Sequence, residues 1–237
     1  MHINSTILLI GSGRLAQHLK YWNSLIEKPN RLLFWDRSQG FTLLNEHLSN
    51  SQLIWLAVSD SAIVPFFDTH LKNHLEILNK KVVHFSGALH SEHMACAHPL
   101  MSFPSALLPK ETYSKVFFVI EGCETVADVL PGFRNQFAVL NPVSKTYYHA
   151  LCVLAGNFPQ LLWNEVAHKF KQLNLPPEAL DLYVKQITDN YLLLKEKALT
   201  GPVIRKDYAT IERNLAALNE SPNLKNIYST LVKEFNR

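Results

Sequence analysis

The residues best suited to chemistry begin at Gly11. Gly11-Ser12-Gly13-Arg14-Leu15-Ala16 has the GxGxxA spacing, two glycines and a small third residue. In a turn that holds a pyrophosphate, each of these positions has a physical duty. The first glycine permits a sharp exit from a strand, the second lets the backbone approach the phosphates, and the small third residue lets the following helix pack close to a sheet. A helix starting at Arg14 then offers free N–H groups and its positive dipole end to the anion. Glycine turns after strands are common, so a purely structural turn is the alternative. Context favours the cradle: an apolar run, 7–10, leads into the turn, and Asp36-Arg37-Ser38 ends the next apolar run, where the ribose of a dinucleotide is read. Asp36 suits a ribose 2′-hydroxyl and so NAD, whereas Arg37 and Ser38 suit a 2′-phosphate and so NADP. The expectation is NADP, with NAD as the alternative. The bland reading of Arg37 is a solvated cation paired with Asp36. Gly11, Ser12, Gly13, Arg14, Leu15, Asp36, Arg37 and Ser38 are the expected cofactor contacts on this side.

Two further apolar runs close on Val58-Ser59-Asp60 and on His84-Phe85-Ser86-Gly87. Ligands of an open parallel sheet lie beyond the carboxyl ends of the strands, so Val58, Ser59, Asp60, His84 and Gly87 are expected beside the cofactor. Ser86 is expected to hydrogen-bond a carboxamide or a substrate oxygen. His84 either faces the nicotinamide or is a satisfied core residue. His98, stiffened by Pro99, either points into the cleft and binds substrate or caps its own loop. In the segment 147–157, His149, Val153 and Asn157 recur at every fourth residue, which places His149 and Asn157 on one helix face about two turns apart. An imidazole changes protonation near neutrality and suits a general acid, and an asparagine in an apolar turn needs a partner. His149, Asn157 and Ser86 are therefore the expected catalytic group; a polar side chain at a domain interface is the alternative for His149. Arg205, in the non-helical joint 200–205, either clamps an anionic part of the substrate or pairs across a dimer while Asp207 caps the next helix. Cys96, Cys123 and Cys152 form no CxxC pair, so no metal site is expected.

These residues need strands and helices that end where they stand. Runs at 7–10, 32–35, 52–58, 81–85 and 116–120 read as strands, apolar enough to be buried on both faces. The segments 14–26 and 60–70 read as helices, the second capped by Asp60 and restricted by Pro65. Past Asn141-Pro142 the strands stop. Helices are expected over 145–173, 177–199, 207–218 and 222–235, with Pro159 kinking the first and Ser221-Pro222 starting the last. The fold class is α/β: a doubly wound, mostly parallel Rossmann sheet in 1–141, then a smaller all-α domain in 142–237. The apolar stripe through 183–194 reads as core or dimer interface. The 237 residues are 47% hydrophobic with a net charge of +3 and carry no long basic run, which argues against nucleic acid as a partner. No apolar run approaches the roughly 18 residues that span a bilayer, and the first residues lack the features of a signal peptide. The expectation is a cytoplasmic protein with reduced thiols and no membrane partner.

Four segments, taken in order, carry a resemblance. They are Leu56-Ala57-Val58-Ser59-Asp60-Ser61-Ala62-Ile63, Val82-Val83-His84-Phe85-Ser86-Gly87-Ala88-Leu89, His98-Pro99-Leu100-Met101-Ser102-Phe103 and Leu199-Thr200-Gly201-Pro202-Val203-Ile204-Arg205-Lys206-Asp207. Together they resemble a bacterial family of Rossmann-like proteins with a helical C-terminal domain of unknown function. That family is distantly similar to ketopantoate reductase, pyrroline-5-carboxylate reductase and the 6-phosphogluconate dehydrogenase group. The resemblance covers nearly the whole chain and implies a nicotinamide cofactor (NADP), a small-molecule substrate and a homodimer formed through the helical half. Two positions depart from it: the family has a glycine where Lys206 stands and an uncharged residue where Asp36 stands. The related reductases take a lysine and an asparagine from the helix equivalent to 147–157. Here Asn157 is present, Lys145 is the nearest lysine, and His149 stands in as the acid. The activity implied is that of an oxidoreductase reducing a small carbonyl or imine by hydride transfer. A nicotinamide-binding sensor or scaffold without turnover is the alternative of another class, and a flavin or deazaflavin enzyme a third.

Overall fold

The computed structural model describes residues 5–73 and 80–236. Its elements run β1 (Thr6–Ile10), α1 (Arg14–Leu25), β2 (Arg31–Trp35), α2 (Phe41–Asn50), β3 (Leu53–Leu56), α3 (Asp60–Phe66), β4 (Lys81–His84), β5 (Ala95–Pro99), α4 (Lys110–Tyr113), β6 (Phe118–Glu121) and β7 (Phe137–Val139). The helices α5 (Lys145–Cys152), α6 (Phe158–Gln172), α7 (Pro177–Leu194), α8 (Tyr208–Ala217) and α9 (Pro222–Phe235) follow. The seven strands form one sheet in the order β2-β1-β3-β4-β5-β6-β7. All neighbours are parallel except β5 and β6. This is the doubly wound α/β sheet followed by helices that the sequence pattern predicts.

Alternation along each strand builds two cores. Ile7, Leu9, Trp55 and Val83 point to one face, against Leu19 and Trp22 of α1 and Phe133. Leu8, Ile10, Ile54 and Val82 point to the other, against Leu44 and Leu48 of α2 and Ile63 of α3. Strands covered on both sides must be apolar at every position, which is why they are legible as short continuous runs. β5 and β7 are not among the expected strands. The sequence of β5, Ala95-Cys96-Ala97-His98-Pro99, is small and polar, and it is held extended by pairing with β4 and β6 on either side. All three residues of β7 are exposed at the sheet edge.

Three helices differ from expectation. The predicted helix 60–70 ends as α-helix at Phe66 and continues as a π-turn, Phe67–Leu71, next to Pro65; its N-cap is Ser59, not Asp60. The predicted helix 145–173 is α5, a π-turn at Val153–Asn157, and α6, with the Phe158 N–H bonding the Val153 carbonyl. Pro159 brings no N–H and its ring crowds the carbonyl four residues back, so the turn before it widens. The predicted helix 177–199 stops at Leu194, where Lys195 takes φ 53°, and a short 3-10 turn covers Lys195–Ala198.

The chain divides into two compact units, Met1–Pro159 and Gln160–Arg237. Helix α5 belongs to the first, through contacts described below. In the second, Leu180 of α7 and Ile211 of α8 are buried, and the Asn214 amide of α8 donates to the Tyr228 hydroxyl of α9 at 3.0 Å. Among the described residues no helix is long and apolar enough to cross a membrane.

Candidate functional site

The glycine turn leaves β1 at its carboxyl end. Gly11 has φ +121°, its N–H donates to the Trp35 carbonyl at 2.9 Å, and a Cβ there would stand 2.3 Å from the Ala57 carbonyl oxygen. The fold itself therefore demands glycine at 11. Gly13 is different. It has ordinary φ −67° as the N-cap of α1, and a Cβ on it would meet nothing within 4 Å. Among the described residues no side chain caps α1, and its first turn carries no acidic residue. Ala16, the third position of the motif, is 3% exposed and lets α1 lie close to the sheet. An empty approach to uncapped N–H groups suits a phosphate.

At the end of β2 the Asp36 carboxylate accepts the Ser38 N–H (2.9 Å) and the Ser38 hydroxyl. Those two bonds, with help from Ser12 and Arg37, hold its carboxyl below the usual carboxylate range. Ser12 thus links the glycine turn to the end of β2. Arg37 is exposed.

The ionisable groups gather where β4 and β6 end and β5 begins. Strand register sets Ile10, Leu56, His84, Cys96 and Glu121 in one row across the sheet, apolar on the β1 side and polar on the β6 side. His84 is fully buried. Its Nδ1 accepts the Ser86 N–H at 3.2 Å, so the neutral ring carries its proton on Nε2, and that donor is buried without a partner among the described residues. Burial first, then the nearby Lys145 cation, push its pKa down to about 3. Beside it the Cys96 thiol donates to the Ser86 carbonyl at 3.2 Å, and burial pushes that thiol up.

Glu121 and Lys145 form a buried ion pair at 2.7 Å, both side chains within 5% of full burial but out of hydrogen-bond alignment. The other Glu121 oxygen meets Nδ1 of His90. Lys145, the first residue of α5, is thus tied to the end of β6. His98 follows one pleat along β5. Its Nδ1 pairs with the Tyr148 hydroxyl at 2.8 Å, and its ring centroid lies 6.3 Å from that of His149. Burial, then His149 and Lys145, lower the His98 pKa to about 4, with Asp60 opposing. Both rings close on Gly87, where a Cβ would stand 2.8 Å from His149 Cδ2 and 3.0 Å from His98 Nε2. Glycine at 87 therefore makes room for two imidazoles.

Ser86 gives its hydroxyl proton to Asp60 Oδ2 at 2.7 Å and accepts the N–H groups of Ala88 and Leu89, which joins the end of β4 to the start of α3. Ser59 is exposed and Val58 half-buried at the end of β3. Of the predicted residues, the structure brings together Asp60, His84, Ser86, Gly87, His98 and His149. Asn157 is exposed at the end of the π-turn, eight residues beyond His149 and roughly 12 Å along the helix. Arg205 lies in the helical unit with its guanidinium donating to the Thr200 hydroxyl at 3.4 Å, and Asp207 caps α8 by accepting the Thr210 N–H. Sequence reasoning missed Glu121, Tyr148 and the burial of Lys145. A lone carboxylate closing an apolar strand, as Glu121 does, was the signal present.

Residues 116–235 match the family described as "Domain of unknown function (DUF2520)", and the chain belongs to that family. Among curated proteins none matches. Solved structures share the fold over nearly the whole chain. One, from Bacteroides fragilis, is described as a "putative NADP oxidoreductase" and superposes with TM-score 0.76 at 20% identity, covering 98% of each chain. A protein from Thermotoga maritima superposes with TM-score 0.71 at 23% identity, covering 97% of this chain and 96% of its own. An imine reductase variant from Myxococcus stipitatus, in complex with NAD+, superposes with TM-score 0.62 at 15% identity, covering 98% and 93%.

Proposed function

We propose that the protein is an NADP-dependent oxidoreductase that reduces a small carbonyl or imine compound. The observation that carries the reading is the open, uncapped N-terminus of α1 behind Gly13, at the same end of the sheet's strands as the imidazoles of His98 and His149. The B. fragilis and M. stipitatus proteins, described as a "putative NADP oxidoreductase" and an imine reductase in complex with NAD+, support the same class.

In this reading Gly11 shapes the turn, its own N–H held by the Trp35 carbonyl, and Ser12, Gly13, Arg14 and Leu15 hold the pyrophosphate on backbone N–H groups. Arg37, exposed beside Asp36, pairs with a 2′-phosphate and favours NADP over NAD. Bound there, the dinucleotide supplies the hydride. Val58, Ser59 and Asp60 border it, with Ser86 bracing Asp60. His149 gives the proton to the reduced oxygen or nitrogen, and His98 binds the substrate beside it. Asn157 orients the substrate. A second copy of the chain covers the helical half: Tyr183, Ile187 and Tyr191 recur at four-residue spacing on α7 and are 62%, 50% and 53% exposed.

Trp35 adjoins the glycine turn, so quenching of its fluorescence by NADPH or NADH, with Trp35→Phe as control, tests the cofactor. Binding of neither below millimolar concentration overturns the reading. NADPH oxidation against small keto acids, imines and aldehydes tests turnover. NADPH affinity unchanged in Arg37→Ala overturns the 2′-phosphate assignment.

A further inference from the structure

Tyr148 makes no contact in the mechanism above, yet it provides the only hydrogen bond to either imidazole packed on Gly87 among the described residues. We propose that Tyr148 is a positioning residue: its hydroxyl fills Nδ1 of His98, so the ring keeps its proton on Nε2 and presents that N–H as a fixed donor to the reacting oxygen or nitrogen of the substrate. The identity of the acceptor rests on the reductase reading; the geometry does not.

The hydroxyl lies 2.8 Å from Nδ1, with the two rings nearly perpendicular at 81°. Burial pushes the Tyr148 phenol up, so it stays protonated and acts as donor. Its other neighbour, the Cys152 thiol one helical turn along α5, offers a sulfur that is a poor acceptor. The phenol proton therefore goes to the imidazole nitrogen. That leaves Nε2 of His98 as the protonated atom, at the Gly87 side and without a protein partner among the described residues. The charged and titratable groups facing His98 are Tyr148, His149 and Lys145 from α5, Asp60 from α3 and His84 from β4. Burial and the cations among them keep the ring neutral down to about pH 4, against the pull of Asp60. A ring held neutral is a hydrogen-bond donor and not a proton source. The roles divide: His98 polarises the acceptor and His149 protonates it.

The test uses the full chain labelled with 15N in histidine, followed by long-range 1H–15N correlation from pH 8 to pH 5, with His98 assigned through His98→Gln. In the wild type, His98 shows the pattern of a neutral ring protonated on Nε2 alone throughout. In Tyr148→Phe that fixed tautomer is lost and both nitrogens move to the averaged positions of an exchanging ring, while NADPH affinity stays within about twofold. With the substrate identified by the panel above, Tyr148→Phe lowers kcat about tenfold and leaves KM nearly unchanged, the loss of an interaction made in the transition state. A wild-type His98 protonated on Nδ1 overturns the proposal whether or not the variant folds. So does an unchanged His98 pattern or an unchanged kcat in Tyr148→Phe. Failure of the wild type to bind NADPH or NADH overturns the reductase reading instead and leaves the tautomer result standing.

Discussion

The two glycines of the turn respond to opposite demands. Gly11 is required by the fold, since φ +121° and the Ala57 carbonyl at 2.3 Å exclude a side chain. Gly11→Ala is expected to cost about 3 kcal/mol, from backbone strain and overpacking, and to lower the urea midpoint. Gly13→Ala has open space and ordinary φ, so its urea midpoint stays close to wild type while its affinity for NADPH falls at least tenfold. The buried pair behaves as a unit. Lys145→Met strands the Glu121 carboxylate in the interior and is expected to cost about 3–5 kcal/mol in equilibrium unfolding. Lys145→Met with Glu121→Leu removes both charges and recovers much of that loss, which a double-mutant cycle measures.

At the scale of elements, the polar edge of the sheet makes stability depend on pH. His84 and His98 have pKa values lowered to about 3 and about 4 in the folded chain, against 6.5 for a free imidazole. Between those values the unfolded chain binds more protons than the folded one, so stability is full above pH 6.5 and falls as the pH drops below it. Unfolding midpoints measured from pH 7.5 to pH 4.5 should show a slope approaching about two protons, and about one in His98→Gln. In the helical unit, Lys206 holds φ 56° just before the Asp207 cap of α8, at the position where the resembling family carries glycine. Lys206→Gly is expected to stabilise by roughly 0.5–1 kcal/mol, read as a raised Tm.

For the whole molecule, the exposed apolar stripe of α7 predicts self-association. Ile187→Asp with Tyr191→Glu should convert a dimer to a monomer in sedimentation equilibrium, with the far-ultraviolet circular dichroism unchanged. A wild type that is monomeric at micromolar concentration removes the second copy from the proposal.

The sequence by itself determined what depends on neighbours along the chain. The glycine turn, the apolar runs of β1 to β4, the Ser221-Pro222 start of α9 and the Asp207 cap follow from local sterics, hydrogen bonding and periodicity. β5 was illegible because Ala95-Cys96-Ala97-His98-Pro99 has little strand character of its own, and the π-turn at Val153–Asn157 because it answers Pro159 through one widened hydrogen bond. Only the tertiary structure decided which ionisable groups meet. Antiparallel pairing of β5 with β6 puts Glu121 beside Cys96, and α5 then delivers Lys145 to Glu121 and Tyr148 to His98. Those pairs join residues 24 and 50 positions apart, and strand register, not spacing along the chain, fixes which of them face each other.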